Sequence, residues 1–240
     1  MIEVVTLDLW NTLFVEKDYS MWRLEYLEEV LHEQGYHREP EEVRRAYDAA
    51  NDHAWRVWEL ENHRHLPIEE RLDHLLSEIR IDLPLKTRSE IIGRFQEVIW
   101  NDLPPLTEGT MKTLEALEPS YRLGIISDSG ITPGCVTREV LRDRGILDFF
   151  ASTVFSDEVG LCKPHEAMFG TALRELDAEP AGAIHVGDLL RTDVAGSKAM
   201  GMKAVWLKTK RSTGLMKWVP DYEITVLPQL LGVLEEIESP

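Results

Sequence analysis

"VVTLDLWNTLF", residues 4–14, is the stretch on which the fold turns. It opens as an apolar, β-branched run, which suits a strand covered on both faces. The run ends on a carboxylate, Asp8, and then breaks into Trp10, Asn11 and Thr12. In open α/β sheets, ligands bind beyond the carboxyl ends of the strands, so an acid placed there is a candidate for chemistry. A strand is expected over residues 2–7, with Asp8 at its end.

Working outward, the character changes. Residues 19–35, 39–62, 67–79 and 88–100 each carry apolar side chains at helical spacing. Gly35 suits a helix stop, and Pro67 a helix start. Nothing in this stretch alternates convincingly with period two, so it is expected to be all-helical. Beyond it, helix and strand follow each other by turns. Strand-bearing stretches are expected at 121–130, 151–160, 181–193, 197–209 and 222–227, and helices over 111–117, 136–144, 166–176 and 228–237. Such alternation argues an α/β chain with a parallel sheet. The scarcity of polar residues inside the strands argues for helices on both faces. The helical block interrupts this pattern after the first strand. Residues 1–15 and 104–240 are therefore expected to form a core, and residues 16–103 an insertion. No internal repeat or low-complexity segment is present.

Composition bounds the function. With 240 residues, 43% of them hydrophobic, the chain can bury a core and support an insert. Its formal net charge of −17 repels polyanions, which makes nucleic acid and anionic membrane poor partners. An anionic small substrate would need a local positive site or a bound cation. Cys135 and Cys162 are the only cysteines, too few for a disulfide framework, and they fit a reducing compartment. No charged segment leading into a long apolar stretch opens the chain, and no run approaches membrane-spanning length. A cytoplasmic location is expected. Monomer and homodimer both stay open.

The polar residues at the strand ends form a set: Asp8 and Thr12, then Ser127 and Asp128, then Lys163, then Asp188 with Asp193 five residues on. Each alone has an ordinary explanation as a cap, a turn residue or a solvated loop charge. His185, inside its strand, reads as a packed residue. Together, converging on one rim, the set can hold Mg²⁺ and phosphate. Carboxylate oxygens suit a hard cation, the lysine supplies a fixed positive charge, and hydroxyls and turn amides donate to phosphate oxygens.

In this order the motifs resemble those of the haloacid dehalogenase-like (HAD) hydrolases with a helical cap inserted after the first motif. There the first motif is Asp-x-Asp-x-Thr; here it is Asp8-Leu9-Trp10-Asn11-Thr12. "LGIISDSG" supplies the strand ending in Ser127, Lys163-Pro164 the lysine motif, and Gly187-Asp188 with Asp193 the fourth. The resemblance covers essentially the whole chain. It implies a Rossmann-like parallel-sheet core with helices on both faces and an all-helical cap. It implies Asp8 as a nucleophile that forms an aspartyl-phosphate. It also implies Mg²⁺ held by Asp8, Asp188 and the backbone carbonyl of Trp10, with Asp193 supporting that shell. Ser127 and Lys163 would bind the transferring phosphoryl group, with Thr12, Asp128 and Trp10 also around the substrate. The substrate would be a small phosphorylated molecule, selected by the cap.

Trp10 departs from the family pattern. The second Asp of the motif normally protonates the leaving group and then activates water. Trp10 can do neither, and such acid–base help is worth about 10²–10⁴-fold. One reading is a Mg²⁺-dependent phosphatase that manages without this acid, or recruits His63 or His65 from "ENHRH". A second is a 2-haloacid dehalogenase, a branch with an aromatic residue at this position, no metal and no paired Asp in the fourth motif. A third is a non-catalytic member that binds a phosphorylated ligand or a protein. A phosphonate-cleaving enzyme would need a cap lysine, and only Lys17 and Lys86 lie in or beside the helical block. The intact acidic set ranks the phosphatase first. Helically spaced tryptophans such as Trp55 and Trp58 are ordinarily core; the lesser reading puts one or two in a cleft. The basic stretch 208–217 reads as a loop after a core strand.

Overall fold

A computed structural model of the chain describes residues 1–209 and 217–239. In chain order, β1 (Val4–Leu7) is followed by α1 (Ser20–Glu33), α2 (Pro40–Leu60), α3 (Ile68–Glu78) and α4 (Leu85–Glu97). Then come α5 (Thr110–Leu117), β2 (Arg122–Ser127), α6 (Gly134–Asp143), β3 (Phe150–Phe155), α7 (Ser156–Val159) and α8 (Glu166–Glu175). The chain continues with β4 (Ala183–Gly187), α9 (Ala195–Ala199), β5 (Lys203–Leu207), β6 (Tyr222–Ile224) and α10 (Leu230–Glu238).

The strands form one six-stranded sheet in the order β3-β2-β1-β4-β5-β6. Every neighbouring pair is parallel. The α/β fold with a Rossmann-like parallel sheet is as the sequence predicted. β1 lies between β2 and β4, so the connections diverge on either side of it. That is the switch point at which such sheets open a crevice.

Side-chain alternation explains the two covered faces. Val5, Leu7, Leu123, Ile125 and Val186 pack into one apolar cluster with residues of α5, α6 and α10. Val4, Ile126 and Ala183, on the other face, pack with Met168, Phe169 and Leu173 of α8. All residues of β1 are buried. Full burial of a side chain such as Leu7 contributes about 1.5–3 kcal/mol.

Helices α1–α4 lie between β1 and β2 and within residues 16–103. They carry a separate apolar cluster, with Leu24, Leu27 and Leu31 of α1 facing Val43, Leu75 and Ile91. The three leucines recur at the spacing of one helix face, which is why a stripe visible in sequence becomes a core.

Some boundaries moved. β1 begins at Val4 rather than residue 2. α4 starts at Leu85 and ends at Glu97, where a 3-10 turn (Val98–Asn101) takes over. β6 is short, and Pro228 sits in a 3-10 turn before α10. A π-helical turn, Leu190–Val194, and the short α9 follow β4 where no helix was expected. Of the basic stretch 208–217, residues 210–216 lie outside the described residues. Among the described residues, no helix is long and apolar enough to cross a membrane.

Candidate active site

Three carboxylates each stand one residue beyond a strand: Asp8 after β1, Asp128 after β2 and Asp188 after β4. The Asp8 amide still donates to the Val186 carbonyl at 2.8 Å, so the sheet itself fixes the Asp8 backbone. Beyond Asp8 the chain turns sharply. Asn11 takes a left-handed φ of 60°, and the amides of Leu13 and Phe14 both donate to the Leu9 carbonyl. This turn places Trp10 on the cavity wall, half-buried and packed on Phe14 at 6.0 Å.

Lys163 comes from the loop between α7 and α8. Its Nζ is 2.6 Å from Asp8 Oδ1 and 2.6 Å from Asp193 Oδ1. Its amide donates to Asp128 Oδ1 at 2.9 Å, and its carbonyl accepts from Trp58 Nε1 at 2.9 Å. The lysine is thus held at backbone and side chain together.

Asp193 sits in the π-helical turn, which folds back beneath the end of β4. A side chain at Gly187 would meet Asp193 Cγ at 2.2 Å, so the turn requires glycine there. Both Asp193 oxygens accept from protein donors: Oδ1 from Lys163 and, at 3.2 Å, from His185 Nε2, and Oδ2 from the Leu189 amide at 3.0 Å. Burial lowers the His185 pKa and keeps the ring neutral, against its bond to Asp193. The neutral ring then carries its proton on Nε2, and Thr6 Oγ1 donates to Nδ1 at 2.9 Å. His185 is a packed strand residue, as expected, and it also orients Asp193.

The electrostatics follow from burial. Asp8, Asp188 and Asp193 are all buried, and Lys163 is the buried ammonium among them. Burial drives Asp8 up to about 8, with Lys163 pulling the other way and Asp193 and Asp188 adding repulsion. Burial also raises Asp188 to about 7, again with repulsion from Asp193. Asp128 is raised to about 6 by burial, against Lys163. At Asp193 burial is outweighed by Lys163 and His185, and the carboxyl titrates well below its ordinary range. At Lys163 burial is likewise outweighed, by Asp193, Asp8 and Asp128, so the ammonium is held charged.

Asp8, Asp188 and Asp193 offer oxygens within 4.8 Å of one another. Such a buried all-oxygen set fits a hard divalent cation. Ser127 Oγ is buried with no hydrogen-bond partner among the described residues, another group suited to a ligand oxygen.

A cavity of about 600 Å³ opens over this cluster. Of the residues expected at the site, Asp8, Trp10, Asp128, Lys163, Asp188 and Asp193 line it. Thr12 and Ser127 lie behind the wall; Thr12 Oγ1 donates to Asp8 Oδ2 at 3.4 Å. The opposite wall comes from the helical block and includes Asn51, Trp55, Trp58, His65 and Arg71. Trp55 and Trp58 therefore follow the cleft reading. Arg191 of the core stacks over both rings, at 4.4 and 5.4 Å. His63 and His65, the cap histidines offered as replacement acids, are not solvated loop residues. His65 is buried with Nδ1 3.0 Å from Ser156 Oγ, and His63 packs on Trp58 at 4.7 Å. Sequence reasoning missed Asn51, Arg71 and Arg191, because nothing in a charged helix or turn marks which residue faces a cleft. Lys17 pairs with Asp102, and Lys86 is exposed beside Glu90, so neither offers a buried amine.

The fold and this acidic cluster define a hydrolase class. The family of haloacid dehalogenase-like hydrolases matches residues 2–201, and the chain belongs to it. It is 42% identical over 131 residues to the glyceraldehyde 3-phosphate phosphatase of Pyrococcus furiosus, a match covering 53% of each chain. The chain thus spans about half the length of that curated relative. It superposes on the HAD phosphatase from Thermococcus onnurineus with a TM-score of 0.66 and 25% identity, covering 97% of this chain and 98% of that one. It superposes on the 2-haloacid dehalogenase from Pseudomonas syringae pv. Tomato DC3000 with a TM-score of 0.71 and 26% identity, covering 99% of this chain and 100% of that one.

Proposed function

We propose that this protein is a Mg²⁺-dependent phosphatase acting on small phosphomonoesters through an aspartyl-phosphate at Asp8. The observation that carries this reading is the Lys163 ammonium, 2.6 Å from Asp8 Oδ1 within the Asp8–Asp188–Asp193 cluster. An Asp8 oxygen attacks phosphorus, a P–O bond to Asp8 forms, and the P–O bond to the leaving group breaks. Water then hydrolyses the acyl phosphate. Lys163 offsets the charge that would otherwise repel an incoming dianion.

Asp8, Asp188 and the Trp10 carbonyl would hold the cation, with Asp193 anchoring Lys163 beside it. The bound cation would supply Lewis-acid stabilisation of the phosphoryl charge. Residues 16–103 act as a cap over the cavity, excluding water and selecting the substrate. With Trp10 in the first motif, the leaving oxygen takes its proton from water, so esters of acidic alcohols turn over best. The name of the Pyrococcus relative makes glyceraldehyde 3-phosphate the first metabolite to try.

The test is phosphate release from p-nitrophenyl phosphate, with and without EDTA. Release that EDTA abolishes supports the reading; no release sinks it. A dehalogenase is the second reading, favoured by Trp10 on the cavity wall and by the Pseudomonas structure. Halide release from a 2-haloacid, indifferent to EDTA, would establish it instead.

A further inference from the structure

Arg71 carries a charge that the protein does not answer. It lies in the first turn of α3, half-buried on the cavity wall. Its Nε donates to the Leu66 carbonyl at 3.3 Å and its Nη1 to Asn51 Oδ1 at 3.4 Å. Both acceptors are neutral and both contacts are long. Among the described residues, no carboxylate lies within ion-pair distance of Arg71. Arg64, the other cavity arginine from the helical block, is paired with Glu61 and Glu70.

A guanidinium keeps its charge even where burial opposes it, and desolvating one without a counterion is costly. A side chain kept only for packing would not need that charge. The neutral contacts also fix the plane of the fork: Leu66 and Asn51 hold Nε and Nη1, and Nη2 has no acceptor among the described residues. Arg71 lines the same cavity as Lys163 and its sequence neighbour Cys162. Four cationic side chains line the cavity: Lys163 is paired with Asp8 and Asp193, Arg64 with Glu61 and Glu70, Arg191 lies over Trp55 and Trp58, and Arg71 has no carboxylate within ion-pair distance among the described residues.

We propose that Arg71 binds a second anionic group on the substrate, a carboxylate or a further phosphate, so that the enzyme prefers phosphomonoesters bearing one. This rests on the reading of Asp8 and Lys163 as the phosphoryl end. A planar fork meets either anion with two parallel hydrogen bonds. The net acidity of the chain makes an arginine without an acidic partner at this wall a selective feature.

The experiment measures kcat/KM for ω-phosphorylated acids of increasing chain length, the matching ω-phosphorylated alcohols, and the bisphosphates of the same diols. The wild-type enzyme is expected to favour an acid or a bisphosphate over the alcohol by about tenfold or more at some length. The better of the two names the anion. Arg71→Met should bring that ratio near unity. Arg71→Lys, a point charge without the fork, should lower it without abolishing it. No preference at any length in the wild type overturns the proposal. So does a ratio unchanged in Arg71→Met or, if that variant does not fold, in Arg71→Lys. So does a preference that disappears in Arg191→Met but not in Arg71→Met, which would put the subsite at the rim. Hydrolysis of p-nitrophenyl phosphate by the wild-type enzyme tests the phosphatase reading separately.

Discussion

Asp193 Oδ1 lies 2.6 Å from Lys163 Nζ, and both side chains are buried. The same ammonium reaches Asp8, so Asp193 sets where the positive charge beside Asp8 stands. Removing one partner of a buried pair costs about 3–5 kcal/mol. Asp193→Asn is expected to lose stability on that scale in denaturant melts. Its kcat should fall more than its KM rises, because Lys163 loses its orientation while the cavity wall stays. Wild-type stability and kcat in this variant would show that the lysine needs no anchor.

Asp8→Asn should remove turnover on every substrate while the far-UV circular dichroism stays native. An acid quench of the wild-type enzyme during turnover, followed by peptide mass spectrometry, should find phosphate on the peptide containing Asp8. The same quench of Asp8→Asn should find none. Phosphate on any other residue would reassign the nucleophile.

Trp10→Asp restores a carboxyl to the cavity wall next to Asp8. General acid help is worth about 10²–10⁴-fold where the leaving group is a poor one. The variant should therefore gain at least about tenfold in kcat on glycerol 3-phosphate and little on p-nitrophenyl phosphate. Equal gains on both, or none on either, would show that the missing acid does not limit the wild-type rate.

How far the sequence could be read depends on what each residue answers to. The β1 run and the leucine stripe of α1 were legible because burial imposes a period on them. Asp8, Lys163, Asp188 and Asp193 were legible as members of a set of strand-end residues. The turn that carries Asp193 was not, since it depends on a tertiary fit: the missing side chain at Gly187 lets it fold back. Arg71 was hidden for another reason. Among Glu69, Glu70 and Asp73 it looks like one charge on a solvated face, and only the approach of the core turns it into a cavity residue. The burial of His65 was hidden in the same way, by a charged sequence neighbourhood around the ring.

Acidity should govern cation binding. Asp8 at about 8 and Asp188 at about 7 are raised by burial above the ordinary value of 3.8. In the cation-free protein, the folded state then holds protons that the unfolded chain has released. Their stabilising contribution is fully present below the unfolded value and is lost as pH rises from about 4 through about 8. Mg²⁺ bound at these carboxylates would take the place of those protons, so its affinity should rise over the same window. Calorimetric titrations in two buffers of different ionisation enthalpy should detect proton release near pH 6–7 that fades above about pH 9. Thermal melts should show the cation-free protein weakening towards alkaline pH and Mg²⁺ restoring it. A flat response in both would place these carboxyls near their ordinary values.

The bond from Trp58 Nε1 to the Lys163 carbonyl ties the helical block to the backbone of the residue that faces Asp8. Lifting that block would break the bond and pull the indole away from the Arg191 guanidinium into water. Indole emission moves to the red on such a transfer. The protein therefore has a native optical gauge of how open its cleft stands, and the difference spectrum against Trp58→Phe would isolate it from the other tryptophans. Stopped-flow mixing with substrate could then time closure against chemistry without attaching a dye.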